Sequence, residues 1–219
     1  MASTNSLITK LGIGTVQFGL DYGISNSAGK TKLEDITAIL QHASDNAITI
    51  IDTAHGYGDS EKVLGQTLPH DRNTFKIVTK TPSFADIETQ AEAVAKLQSA
   101  FENSLENIKQ KALYGLMFHH ADDLFGTHAD ALYNAMCDLK NGGLVKKIGV
   151  SAYHQDQIER IIARFDIDII QVPVNIFDQR LIRTGMLQAL KEKVIKIHAR
   201  SAFLQGLFFM SPQKLPQSL

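Results

Sequence analysis

The chain has 219 residues, of which 44% are hydrophobic, and we expect residues 1–219 to form a single domain. Because 22 basic and 23 acidic side chains give a net charge of −1, no bulk field draws the chain to nucleic acid or to a membrane surface. A single cysteine excludes an internal disulfide, and we find neither a signal peptide nor a membrane-spanning run. These features predict a soluble, cytoplasmic protein.

Apolar runs alternate with helical patterns along the chain. A short glycine-broken run at 11–18 is followed by strands predicted near 48–51, 75–80, 113–118, 147–153, 167–172 and 194–199. The segments between them carry apolar residues three or four positions apart, which predicts helices at 32–46, 86–109 and four shorter places, near 63–64, 132–139, 158–165 and 186–190. Seven βα-like units result, the seventh without its helix.

The stretch from Ile48 to Gly65 places an acidic and a phenolic side chain at the end of a predicted buried strand. The β-branched run stops at Asp52, a charge that a strand interior rarely accepts unpaired. Two glycines then mark a tight loop that presents Tyr57, and we expect Ser60 to cap the helix that follows. In parallel α/β proteins, ligands bind where a strand opens into such a loop.

Alternating strands and helices fit either an open doubly wound sheet or a closed (β/α) barrel. The glycines after residue 11 suggest a dinucleotide fingerprint, but their spacing misses GxGxxG and no helix is predicted to open there. Polar residues that end successive apolar runs favour the barrel, whose site is ringed by βα loops. They are Asp52, Lys80, His119, Ser151, Gln171 and either Arg200 or Ser201.

Seven motifs occur in the order found in one known family and cover nearly the whole chain. LGIGTVQFG, DTAHGYGDSEKVLG, IVTK, GLMFHH, IGVS, IIQVPVN and RSAFLQG together resemble the aldo-keto reductases. The second motif is the distinctive one, since it matches the family pattern DTAxxYGxSExxLG at every fixed position. The resemblance implies a (β/α)8 TIM-type barrel that reduces aldehydes and ketones, or oxidises alcohols. It also implies a nicotinamide cofactor, NADP(H) rather than NAD(H), and a small carbonyl substrate.

Residue by residue, the resemblance makes Asp52, Tyr57, Lys80 and His119 the catalytic residues. Tyr57 would supply the proton, and a phenol with an ordinary pKa of about 10 keeps that proton at neutral pH. We expect the Lys80 ammonium to lower this pKa and Asp52 to keep the lysine charged. His119 would hold the substrate oxygen near Tyr57.

The resemblance also assigns cofactor contacts. Ser151 and Gln171 match positions that hydrogen-bond the nicotinamide carboxamide, although Ala152 stands where many members have Asn. Where many members stack an aromatic ring on the nicotinamide, this chain has Arg200, which would stack or reach a phosphate. The loop that follows would cradle the pyrophosphate through its backbone. Its residues are Ser201, Phe203, Gln205 and Gly206.

The sequence stops after the seventh predicted strand, where the family continues with an eighth strand and a helix that grips the adenosine phosphate. We therefore expect either a fragment or a naturally incomplete barrel. Open edges on the first and seventh strands predict self-association. The absence of the adenosine-binding segment predicts that this polypeptide binds the cofactor weakly or not at all and has little activity alone.

Other interpretations remain open at this stage. The chain could be a related cofactor-binding module without useful turnover, serving as a sensor or regulatory subunit. It could also be a metal-dependent lyase or hydrolase with Asp52, His119 and His120 as ligands, although we assign no metal site. Considered alone, Asp52 could be a residue that caps a loop, and Lys80 a solvated residue at a strand end. Lys76 is an alternative candidate for the role assigned to Lys80.

Overall fold

The computed structural model describes residues 7–69, 74–211 and 213. The first six residues, part of the N-terminus in which we expect no signal peptide, lie outside the described residues. Seven strands in the described part form one parallel sheet whose order follows the sequence. They are β1 (Gly12–Gly14), β2 (Ile50–Asp52), β3 (Lys76–Lys80), β4 (Leu113–Phe118), β5 (Val145–Ser151), β6 (Ile169–Pro173) and β7 (Lys196–Arg200).

Helices connect the strands, as expected for parallel neighbours. They are α1 (Val16–Gly19), α2 (Leu33–Asp45), α3 (Ser60–Thr67), α4 (Gln90–Ile108), α5 (Ala129–Asn141), α6 (Gln155–Arg164), α7 (Arg180–Arg183) and α8 (Met186–Glu192). Short 3₁₀ helices lie at Ala121–Leu124 and Leu204–Phe209. A search of the described helices finds none with the length and apolarity needed to cross a membrane.

The strand order distinguishes a barrel from a doubly wound sheet. A doubly wound sheet reverses its strand order at a switch point, whereas here each strand pairs with its predecessor from β1 to β7. Val78, Met117 and Ile169 come from β3, β4 and β6 and form an inner cluster separate from the main core between strands and helices. Side chains on nonadjacent strands meet in this way when a sheet curls. The dinucleotide-fold alternative is therefore wrong.

The two outer strands each pair on one side within the described residues. β1 pairs with β2, and β7 pairs with β6. Both edges therefore carry backbone groups free to pair with another strand. Self-association through these edges stays a prediction.

Two element boundaries differ from the sequence-based prediction for local chemical reasons. Helix α4 begins at Gln90 rather than near 86, because Thr89 and Glu92 form a capping box. Ser60 is not an N-cap but the first residue of α3. Its hydroxyl instead donates to Oγ1 of Thr15, at 2.7 Å, and lies 3.1 Å from the hydroxyl of Thr53. This buried hydroxyl cluster joins the ends of β1 and β2 to the helix after the Tyr57 loop.

Candidate active site

A buried ion pair lies where β2 and β3 end. The Nζ of Lys80 donates to both carboxylate oxygens of Asp52, at 2.9 and 2.8 Å, and to the carbonyl of Thr53 at 2.9 Å. Lys80 is only 1% exposed, whereas the side chain of Asp52 is 20% exposed. A desolvated ammonium is costly unless it is paired and hydrogen-bonded, and these partners satisfy that requirement.

The loop after β2 brings Tyr57 to this pair. The N–H of His55 donates to the carbonyl of Lys80 at 3.1 Å, so the loop is fixed to the end of β3. Gly58 adopts a left-handed conformation with φ +56°, and a Cβ there would lie 2.6 Å from the backbone oxygen of Gly19. Only glycine fits such a turn and such a close approach. The result is a distance of 3.4 Å between Nζ of Lys80 and Oη of Tyr57.

His119, directly after β4, completes the group. Its ring centroid lies 5.7 Å from that of Tyr57 in an edge-to-face arrangement, and its side chain is half-buried. His120 is exposed, although the two histidine rings lie 5.1 Å apart. The structure thus brings all four predicted catalytic side chains together at the carboxyl ends of three neighbouring strands.

The electrostatics of the tyrosine differ from the sequence-based expectation. We expected Lys80 to lower the pKa of Tyr57, but burial, reinforced by the negative charge of Asp52, raises that pKa well above its usual range. Burial also lowers the pKa of Lys80, against the opposing effect of Asp52. The expectation is wrong because it leaves out the burial of the phenol itself and the negative charge of Asp52 acting on it. Tyr57 therefore keeps its proton at neutral pH.

His119 is held in its neutral form. Burial, followed by the positive charge of Lys80, lowers the pKa of His119 to about 4. A neutral imidazole carries one N–H donor and one acceptor nitrogen, so it can hydrogen-bond a carbonyl oxygen without adding a charge.

We expect His119 to remain neutral across the physiological pH range. In a long-range ¹⁵N–¹H NMR titration, its ring nitrogens should keep the neutral pattern until the pH approaches about 4. Because the unfolded chain takes up this proton near 6.5, the contribution of His119 to stability should decline as the pH falls from 6.5 towards 4. His119→Gln identifies the signal by removing it. Protonation near 6.5 would contradict the proposed environment.

A cleft of about 910 Å³ opens between β1 and β7 and reaches Asp52. Ser25, in the loop after β1, donates its hydroxyl to the carbonyl of Gln205 at 3.0 Å and so joins the two loops over the cleft. Most of the predicted cofactor-binding residues line this cleft: Gln171, Arg200, Ser201, Phe203, Gln205 and Gly206.

The two predicted carboxamide-binding residues occupy different environments. Gln171 lines the cleft, and its side-chain amide donates to Oδ1 of Asp52 at 2.8 Å, which links it to the ion pair. Ser151 is 3% exposed and does not line the cleft. The structure therefore groups Gln171, but not Ser151, with the cleft residues.

His198 is a site residue that the sequence reasoning missed. It lies beside Gln171 in the β6–β7 register and lines the cleft, where its Nε2 is buried without a hydrogen-bond partner among the described residues. Burial lowers its pKa, with Asp52 and Lys80 among the charges acting on it. The signal was the alternation of Lys196, His198 and Arg200, because residues two apart on a strand share a face.

The metal-site alternative receives no support from the geometry. Within the parts of the chain that the structure describes, there is no group of three or more His, Cys, Asp or Glu side chains suited to a metal ion. Asp52 is instead occupied by Lys80 and Gln171.

Comparison with known proteins gives a family match over almost the whole chain. Residues 10–217 match the sequence profile of the aldo/keto reductase family. The chain is 26% identical over 201 residues to aldo-keto reductase YhdN of Bacillus subtilis, covering 89% of this chain and 58% of YhdN. It is 24% identical to the uncharacterized oxidoreductase YqkF of the same organism, covering 94% of this chain and 64% of YqkF. The chain thus spans about three fifths of the length of these relatives.

Solved structures show the same fold. The holo form of aldo-keto reductase AKR11C1 from Bacillus halodurans superposes with a TM-score of 0.74 at 21% identity, covering 96% of this chain and 67% of that one. An aldo-keto reductase from Klebsiella pneumoniae in complex with NADPH gives a TM-score of 0.67 at 23% identity, covering 91% and 68%. The seven described strands therefore follow the predicted barrel fold.

Proposed function

Since the chain belongs to the aldo/keto reductase family, as its motifs predicted, we propose that its site transfers a hydride between a nicotinamide cofactor and an aldehyde or ketone. One observation carries the proposal: Nζ of Lys80 lies between the carboxylate of Asp52 and the hydroxyl of Tyr57. A protonated phenol beside a buried ammonium suits the delivery of a proton to a developing alkoxide.

The cleft residues fit a nicotinamide cofactor. Backbone φ is positive at Ser201, Leu204, Gln205 and Gly206 in the loop after β7. Left-handed backbone is costly for non-glycine residues and concentrates at functional loops, and such turns can point successive N–H groups at an anion. This loop would hold the pyrophosphate, and Gln171 would contact the nicotinamide. The NADPH bound by the Klebsiella relative supports NADP(H) as the cofactor.

The side chains of this chain have separate parts in the reaction. The bound cofactor supplies or accepts the hydride. Tyr57 donates its phenolic proton to the substrate oxygen, and the ammonium of Lys80 stabilises the phenolate that remains. Asp52 keeps Lys80 protonated and aimed at Tyr57. Neutral His119, whose ring meets the tyrosine ring edge to face, donates a hydrogen bond that orients the carbonyl.

Consumption of reduced cofactor tests the proposal. The 219-residue polypeptide is mixed with NADPH or NADH, at millimolar concentration, and a panel of aromatic and aliphatic aldehydes. We expect aldehyde-dependent oxidation of the cofactor and formation of the matching alcohol. Cofactor binding by calorimetry without turnover of any aldehyde would overturn the proposal and support the regulatory module.

A further inference from the structure

The side chain of Arg200, the last residue of β7, extends across the carboxyl ends of the neighbouring strands. Its guanidinium carbon lies 3.9 Å from the ring centroid of Tyr153, which follows β5. Its backbone carbonyl accepts the N–H of Val174, after β6, at 3.1 Å. The side chain therefore passes over the end of β6, and stacking on the aromatic ring fixes the plane of the guanidinium.

The hydrogen-bonding capacity of this guanidinium is largely unused. Nε and one terminal nitrogen of Arg200 are buried without a hydrogen-bond partner among the described residues. The other terminal nitrogen makes one long contact, 3.4 Å, with the hydroxyl of Ser201. No carboxylate of the described chain forms an ion pair with Arg200, whereas Arg164 and Arg180 each have one. Donor nitrogens that are buried without partners are costly, and an anionic ligand would remove that cost.

The position of the Arg200 guanidinium indicates which anionic group it would bind. Arg200 lines the same cleft as Asp52, the carboxylate that pairs with Lys80, and as Gln171, whose amide donates to Asp52. Its positive charge also opposes the rise in the pKa of Tyr57. Arg200 thus lies close to the groups that would bind the reacting carbonyl. The loop assigned to the pyrophosphate begins at Ser201, but three of its four positive-φ residues lie farther along the chain, at Leu204–Gly206. The anion that Arg200 is placed to bind is therefore near the carbonyl.

We propose that Arg200 binds an anionic group of the substrate, so that the site takes aldehydes or ketones that carry a carboxylate. This inference rests on the proposed function. A carboxylate matches the paired donors on one edge of a guanidinium, and the Tyr153 ring holds that edge in a fixed orientation.

A pair of substrates that differ only in charge tests the inference. 4-Carboxybenzaldehyde is anionic at neutral pH, and methyl 4-formylbenzoate is its neutral ester. We expect kcat/KM to favour the acid by about tenfold or more, since hydrogen bonds to a charged group are stronger than those between neutral groups. Arg200→Met should remove this preference, because kcat/KM should fall at least tenfold further for the acid than for the ester. Arg200→Lys should retain part of it.

Arg160→Met is the matched control, because Arg160 stacks on Phe125 at 3.8 Å and lies on α6. It should leave the acid-to-ester ratio unchanged. An equal loss for both substrates in Arg200→Met, or a raised cofactor KM with an unchanged ratio, would overturn the proposal and assign Arg200 to the cofactor phosphate.

A binding measurement separates this inference from the proposed function. Ligand-observed NMR with 4-(hydroxymethyl)benzoate and its methyl ester requires no turnover. Binding of the acid by the wild type and its loss in Arg200→Met would support the anion site even if no aldehyde is reduced. No preference for the acid over the ester in the wild type would overturn it.

Discussion

Replacing Tyr57 with phenylalanine is expected to lower the rate of carbonyl reduction by about 10²- to 10⁴-fold, because the substrate oxygen loses its proton donor. The ring, its contact with His119 and the shape of the loop are retained, so cofactor affinity should change little. Steady-state oxidation of NADPH with a neutral aldehyde gives the rate, and calorimetric titration gives the affinity. A loss in kcat with a nearly unchanged cofactor dissociation constant would place the effect on the proton-transfer step.

Tyr133→Phe is the matched control. The hydroxyl of Tyr133, on α5, donates to the carbonyl of Asp166 at 2.9 Å and accepts from its N–H at 3.2 Å, so the variant loses phenolic hydrogen bonds to the segment after α6. It should lower stability by about 1 kcal/mol and leave the rate near that of the wild type. Wild-type turnover in Tyr57→Phe would show that another group supplies the proton.

The position of the site could be predicted because it follows from strand ends. Asp52, Lys80 and His119 each come at or just after the last residue of a strand, and the parallel pairing of β2, β3 and β4 places those ends side by side. The sequence carries that information locally, as apolar runs stopped by polar residues. Tyr57 followed from the two glycines that mark its loop.

The energetics of the site could not be predicted in the same way. The raised pKa of Tyr57 depends on its burial and on the nearby negative charge of Asp52, which are properties of the assembled barrel. The hydrogen bond from Gln171 to Asp52 joins residues 119 positions apart. No local pattern reports such a contact.

Ser60 and His198 show two further limits. A serine before a helix is an ordinary N-cap signal, but here its hydroxyl bonds with Thr15 and Thr53 on other elements. In the sequence, the only sign of the inward face of β7 is that basic residues occur at every second position, at Lys196, His198 and Arg200. Polar residues on an inward face contradict the usual expectation of an apolar strand interior, and such conflicts occur where a site has been built.

The second large effect is expected for Lys80→Met, which we expect to lower kcat by about 10²- to 10³-fold, as for the loss of one preorganised charge at a developing anion. Lys80 is the cation that contacts the Tyr57 hydroxyl, so its removal leaves the phenolate without that stabilisation. Methionine fills a similar volume without a charge. In this variant, Asp52 still accepts the hydrogen bond from the side-chain amide of Gln171 and is still partly exposed to water. The protein should therefore remain folded.

Lys76→Met supplies the control for this variant because Lys76 begins the same strand, where it is exposed. Its Nζ lies 5.8 Å from the ring centroid of Tyr114. Lys76 is thus at the opposite end of β3 from Lys80 and the other predicted catalytic residues. This variant should keep the wild-type rate, which would also exclude Lys76 from the role of Lys80. Thermal unfolding of both variants separates a catalytic loss from a folding defect. Turnover within about threefold of the wild type in folded Lys80→Met would show that the ion pair positions β2 against β3 without assisting proton transfer.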